Sequence, residues 1–244
     1  MKKSTNYVLK GLVDMKSLDF SYSINVDKAY IIRIKGNSIS EALSLRCATS
    51  CEMVGMKYDY FDAFDGTGNE IIPPLNMHPI MKMIKLTDHY MTRSEVACAL
   101  SHISLWAKCV EEDCPLVILE HDTIMLEKYP VHTLFNSICY LGSSEQYYKQ
   151  TTNYATPPHG SDGVNYHFIC RAHAYAIDPA VAKNMLAYVI KYGVCTSIDR
   201  LLRADLFPIH QMGLYAYDQP GISTITNRSE KDDRPGKRND NLII

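Results

Sequence analysis

Three neighbouring residues, Glu120-His121-Asp122, carry the sharpest chemical signal in the chain. They follow Leu116-Val117-Ile118-Leu119, a short continuous apolar run that begins after Pro115. Such a run reads as a central parallel strand buried on both faces. Residues two apart in an extended chain point the same way, so Glu120 and Asp122 are expected to share one face. Two carboxylates there make a hard oxygen site suited to Mn²⁺ or Mg²⁺. A metal so held can bridge a diphosphate and neutralise it as it leaves. In open α/β sheets, ligands bind beyond the carboxyl ends of strands, which is where these acids fall. The same spacing also suits a plain strand-end turn with solvated acids.

A sheet and its flanking helices must position those acids. Ala29-Tyr30-Ile31-Ile32-Arg33-Ile34 reads as a strand, and Gly36-Asn37 turns the chain. Ser38-Ile39-Ser40-Glu41 has the form of a capping box, so a helix is expected to about Met53, closed by Gly55. Tyr58-Asp59-Tyr60-Phe61 is then a second strand. Residues 66–91 carry Gly66, Gly68, Pro73, Pro74 and Pro79, the mark of a long binding loop or lid. Thr92-Arg93-Ser94-Glu95 is a second capping box, with Val96, Leu100, Ile103, Ala107 and Val110 at helical spacing behind it. Residues 142–166 form a second loop, rich in polar residues and tyrosines (Tyr147, Tyr148, Tyr154, Tyr166). His173-Ala174-Tyr175-Ala176-Ile177 is a strand, Asp178-Pro179 opens a helix to Tyr192, and Ser197 to Leu202 form a short helix. This alternation predicts an α/β class, an α/β/α sandwich with a mostly parallel central sheet. The domain should span 28–225, after an N-terminal extension at 1–27 and before a charged tail at 226–244.

Composition narrows the function. A net charge of −2, from 25 basic and 27 acidic residues, argues against a broad nucleic-acid coat. The 8 cysteines include no CxxC pair and mostly sit in apolar runs, as reduced buried thiols do. No secretory leader is visible at the start, and no window is apolar enough to span a membrane. A reducing cytoplasm, bacterial or that of a phage-infected host, is the expected compartment. Zinc is disfavoured, because no Cys or His pair has ligand spacing. A cysteine nucleophile at Cys98 lacks any orienting motif, and a small buried thiol is the simpler expectation. Trp106 is expected in the core, and His102 either in the core or facing the site.

Four stretches in order resemble glycosyltransferase family 25. The first runs from Ser94-Glu95-Val96-Ala97-Cys98-Ala99-Leu100-Ser101-His102, through Trp106, to Glu120-His121-Asp122. It is similar to the family's Gly-Glu-x-Gly-Cys-x-x-Ser-His helix, Trp, and strand ending Glu-Asp-Asp. The others are Phe61-Asp62-Ala63-Phe64-Asp65-Gly66, Ala174-Tyr175-Ala176-Ile177, and Ile198-Asp199-Arg200-Leu201-Leu202. The resemblance covers roughly residues 29–234. It implies a GT-A fold, a nucleotide-sugar donor, a divalent metal such as Mn²⁺, and inversion at the anomeric carbon. By it, Glu120 and Asp122 fall on the metal motif, with Asp233 closing the site from the tail. Asp199 falls in the acceptor-side motif, as base or acceptor-orienting acid; capping its own helix is the alternative. Glu95, Asp65 and His102 fall where donor contacts are expected, although Glu95 also has a sufficient job as a cap. Arg33 replaces the family's first-strand Asn, the family's following Arg falls near Ser40, and His121 replaces the middle acid, where it should point away from the metal. Ser94 and Ala97 replace two glycines while staying small.

The tail interleaves Arg228, Lys231, Arg234, Lys237 and Arg238 with acids. It reads either as a solvated tail or as a grip on phosphates of the donor or of an anionic acceptor, with Arg234 the candidate donor contact. Two acceptors fit: a phosphorylated lipooligosaccharide glycan, or DNA bearing hydroxymethylated bases. Competing readings are a non-catalytic nucleotide-sugar or glycan-binding protein and a metal-dependent phosphate-ester hydrolase.

Overall fold

A computed structural model describes residues 26, 28–87, 91–129, 137–142 and 172–218. The extension at 1–27 (Val26 apart), the four loop tyrosines, and the tail with Asp233 and Arg234 lie outside the described residues.

Strand β1 (Lys28–Arg33) leads into helix α1 (Ser38–Met53), and β2 (Lys57–Asp62) follows. The α1 cap differs from expectation. Asn37, not Ser38, accepts the Ser40 N–H at 3.0 Å, and Glu41 reaches back to the Gly36 N–H at 2.9 Å. Asn caps as well as Ser, and Gly36 adopts the φ of +82° that delivers Asn37 to the helix start. A 3₁₀ turn (Pro79–Met83) precedes α2 (Arg93–Glu112). There the expected capping box is present: the Thr92 hydroxyl accepts the Glu95 N–H and the Glu95 carboxylate accepts the Thr92 N–H. Strands β3 (Leu116–Glu120), β4 (Thr123–Met125), β5 (Ile138–Gly142) and β6 (Ala174–Ile177) come next. Helices α3 (Pro179–Tyr192) and α4 (Ile198–Leu201) and strand β7 (Ile209–Asp218) complete the described chain.

The chain has a mixed α/β fold. Its 7 strands run in the order β2-β1-β3-β6-β5-β7-β4. Pairing is parallel across β2-β1-β3 and between β5 and β7, and antiparallel where β6 and β4 join their neighbours. The connection from β3 to β4 forces the sheet to curl. On a flat sheet those two strands would stand about 19 Å apart, at about 4.8 Å per neighbour. Only His121 and Asp122 link them, a reach of at most about 11 Å. The curl wraps around α1, where the Met125 N–H donates to Ser50 Oγ at 2.9 Å.

Both faces of the sheet are covered. Ile118, Tyr175, Ile138 and Tyr30 pack with α2, α3 and α4 on one side. Val117, Leu119, Ala174, Ala176 and Ala29 pack with Cys47, Ala48 and Cys51 of α1 on the other. β3 is thus buried on both faces, as its unbroken apolar run requires. No helix among the described residues is long and apolar enough to cross a membrane.

Candidate active site

The carboxyl end of β3 opens into a narrow cleft lined by Ile32, Ile34, Phe64, Gly66, Thr67, Ser94, Ala97, Cys98, His102, Glu120, His121 and Asp122. β1 supplies the floor, the loop after β2 one rim, and the start of α2 the other. The rims meet closely. A Cβ at Gly66 would lie 2.5 Å from the Arg93 carbonyl oxygen and 2.9 Å from the Ala97 Cβ. Only a small residue at 97 and none but glycine at 66 suit that approach. Ser94 Oγ donates to the Gly66 carbonyl at 3.3 Å, which ties the same seam.

Glu120 is set by a buried polar chain. Trp106 Nε1 donates to the Tyr175 hydroxyl at 2.9 Å. That hydroxyl meets His102 Nδ1 at 2.9 Å, and His102 Nε2 meets Glu120 Oε1 at 3.2 Å. The rings of His102 and Tyr175 also stack at an interplanar angle of 13°. Burial by itself would raise the Glu120 pKa, but the His102 hydrogen bond and the surrounding imidazoles overcome it and hold it at about 2. An ionised carboxylate only accepts, so His102 donates from Nε2, and in the neutral ring the tyrosine hydroxyl donates to Nδ1. The Glu120 backbone is fixed as well: its N–H donates to the His173 carbonyl at 2.8 Å. Trp106 is fully buried, as expected for a core residue, and His102 is fully buried while also lining the cleft.

Cys98 departs from expectation. It is half-buried in the cleft wall, and its Sγ lies 3.5 Å from Glu120 Oε1. Burial first, then the Glu120, Asp199 and Asp122 carboxylates, push its thiol pKa well up. It is therefore a protonated donor to Glu120. Cys98, His102 and Glu120 bring three potential ligand atoms within 4.8 Å of one another, a set compatible with a metal. With Cys98 protonated, the hard donors are the second oxygen of Glu120, for which no hydrogen bond is seen among the described residues, and Asp122, buried in the same wall. Those oxygens fit Mn²⁺ or Mg²⁺.

His121 also differs from expectation, because it lines the cleft with the two acids instead of pointing away. Strand alternation ends at Glu120, and His121-Asp122 form a turn where a period of two no longer applies. His121 Nδ1 lies 3.0 Å from Ser40 Oγ. Burial lowers the His121 pKa, against the pull of the Glu120 carboxylate.

The remaining sequence candidates sit around this centre. Asp199 lies in the first turn of α4 and accepts the Ala172 N–H at 2.9 Å. Ser197 holds the N-cap position, so Asp199 does not cap the helix. Asp199 is close enough to raise the Cys98 thiol. Glu95 is folded back onto Thr92. Asp65 Oδ1 accepts from the Thr67 N–H and hydroxyl at 2.9 and 2.6 Å, which shapes the rim loop. Arg33 pairs with Asp62 of β2 at 3.2 Å and lies over the Tyr60 ring, off the cleft. A larger cavity, about 720 Å³, lies against β1, β2 and the carboxyl half of α2. Of its four acids, Asp59, Asp62 and Glu112 are each paired with a Lys or Arg, and Glu111 lies 3.9 Å from His78.

A carboxylate centre at the strand ends of a covered α/β sheet lies where such folds bind their ligands. The chain matches the model of glycosyltransferase family 25 (LPS biosynthesis protein) over residues 27–202. It belongs to that family and is a glycosyltransferase. The family implies a nucleotide-sugar donor and a glycan acceptor. No curated protein matches the chain.

Proposed function

We propose that the chain moves a sugar from a nucleoside-diphosphate sugar to a hydroxyl of a lipooligosaccharide-type glycan, on the cytoplasmic side of the membrane. The observation that carries this reading is Glu120, held ionised by His102 at the mouth of the cleft and next to Asp122. The family's association with LPS biosynthesis favours the glycan over DNA as acceptor.

Glu120 and Asp122 are the residues that would hold Mn²⁺ or Mg²⁺, with Asp233 as a further acid from the tail. When bound, the metal would neutralise the charge on the departing diphosphate. The chain's own residues do the rest. His102 and Cys98 fix one oxygen of Glu120 and leave the other for the site. Asp199 takes the proton from the acceptor hydroxyl, or orients that hydroxyl. Gly66, Thr67 and Ser94 shape the rim against which the donor lies, with Asp65 and Glu95 holding the two rim segments and Arg234 as a phosphate contact. His102 acts on the donor through Glu120.

The test is a donor panel with Mn²⁺, following nucleoside diphosphate release, with Asp122→Ala beside the wild type. Slow release from one donor, lost in the variant, is expected. Release that is indifferent to Asp122→Ala would overturn the metal assignment. No release or binding with any donor would overturn the reading.

A further inference from the structure

The Ser40 hydroxyl is fully buried and accepts the Ile34 N–H at 2.8 Å. Its own proton needs an acceptor, because a buried unmade hydrogen bond is costly. Among the described residues the atom within reach is His121 Nδ1, at 3.0 Å. Nδ1 therefore carries the lone pair, and the ring proton sits on Nε2. Nε2 has no protein partner among the described residues, and the ring forms part of the cleft wall. The result is an N–H donor between Glu120 and Asp122. A carboxylate wall repels a diphosphate, so the anion needs donors there as well as a cation.

We infer that His121 Nε2–H holds a diphosphate oxygen of the nucleotide donor, and that Ser40 is the positioning residue that aims it. The inference rests on the proposed function, since it assigns a contact within the same site. Ser40 lies at the start of α1 and His121 in the turn just after β3, so the bond also ties together two segments 81 residues apart in sequence.

The experiment measures binding of UDP, GDP and ADP, each with Mn²⁺, by calorimetry. It uses the full chain as wild type, His121→Leu, His121→Gln, Ser40→Ala and Ser40→Thr. His121→Leu should weaken the tightest nucleotide by about 10- to 100-fold, the range for a hydrogen bond to a charged group. His121→Gln keeps an N–H near the Nε2 position and should stay within about 3-fold. Ser40→Ala should weaken binding by about 3- to 10-fold, and Ser40→Thr should restore it. In turnover, donor KM should rise while acceptor KM holds, a split that general loosening of the fold would not give. If the leucine variant does not fold, the Ser40→Ala and Ser40→Thr pair decides by the same criterion. Wild type that binds nucleotide, with all variants equal to it, overturns the inference and leaves the proposed function standing. Wild type that binds no diphosphate overturns the proposed function itself.

Discussion

Glu120 and His121 are consecutive residues, yet they are tied to opposite layers of the molecule. Glu120 leans toward α2 and ends a chain of three buried side chains, Trp106, Tyr175 and His102. His121 leans toward α1 and is held by one hydroxyl, itself fixed by a backbone N–H. The first anchor is built into the larger core and stabilises a charge. The second is a local contact that sets the direction of a neutral ring. One turn thus receives its charge from one layer and its aim from the other, and the two should fail differently.

The largest effect is expected from the deep anchor. His102→Leu leaves Glu120 with only the weak Cys98 thiol as donor and Tyr175 without its acceptor, so unfolding free energy should drop by about 3–5 kcal/mol. Denaturant unfolding checks this, and a loss under about 1 kcal/mol would put the two anchors on a par. Acid acts on both anchors with the same sign. Glu120 titrates at about 2 in the fold against an ordinary 4.5, so its contribution is present above about 4.5 and is lost as pH falls toward 2. His121, lowered from 6.5 by burial, adds a loss that begins as pH drops below that value. Comparing wild type with Glu120→Gln across this range should remove the lower part of the decline and leave the upper part.

The next effect should come from the rim. Gly66→Ala puts a Cβ against the Arg93 carbonyl, so overpacking should cost about 1–3 kcal/mol and widen the cleft. Thermal unfolding and donor KM read the two parts. Ser40→Ala should cost about 1–2 kcal/mol, clearly less than His102→Leu, because it strands one N–H and one ring nitrogen but no charge. Arg33→Ala should be the mildest, under about 1 kcal/mol, since its pairing with Asp62 is partly solvated. A large loss there would mean that the edge of the sheet, not the two anchors, sets the site.

Much of the frame was legible in the residues. The apolar run at Leu116–Leu119, the capping box at Thr92–Glu95 and the Asp178-Pro179 helix start are local signals, and each marks the element it should. Trp106 reads as core because it shares the apolar face of a helix. The site was legible as a place more than as a set of roles. The resemblance put Glu120, Asp122 and His102 in one neighbourhood, and it left Cys98 as a buried thiol. It could not show that His102 spends both nitrogens on Tyr175 and Glu120, nor that Cys98 donates to Glu120. It also missed the bond between Ser40 and His121. These are contacts between distant segments, and no periodicity encodes them. Two departures from the family pattern did mark the spot, since the positions of Ser40 and His121 turn out to touch. The expectation that His121 would face away failed because strand alternation was carried one residue past the strand.

The two-residue link from β3 to β4 has a consequence for how the chain is made. β4 leaves the ribosome directly behind β3, yet its partner is the last described strand, with Thr123 opposite Asp218. Some 90 residues must be added before that edge can close, a wait of about 5–20 s at elongation rates of about 5–20 residues per second. Until then the parallel half, β2-β1-β3, can assemble with α1 and α2 while the turn that carries Glu120 and Asp122 ends in an unpaired strand. Glu120 gains its full anchor only once His173 and Tyr175 of the β6 region are made, and the edge beside it is sealed later still, when β7 pairs with β4.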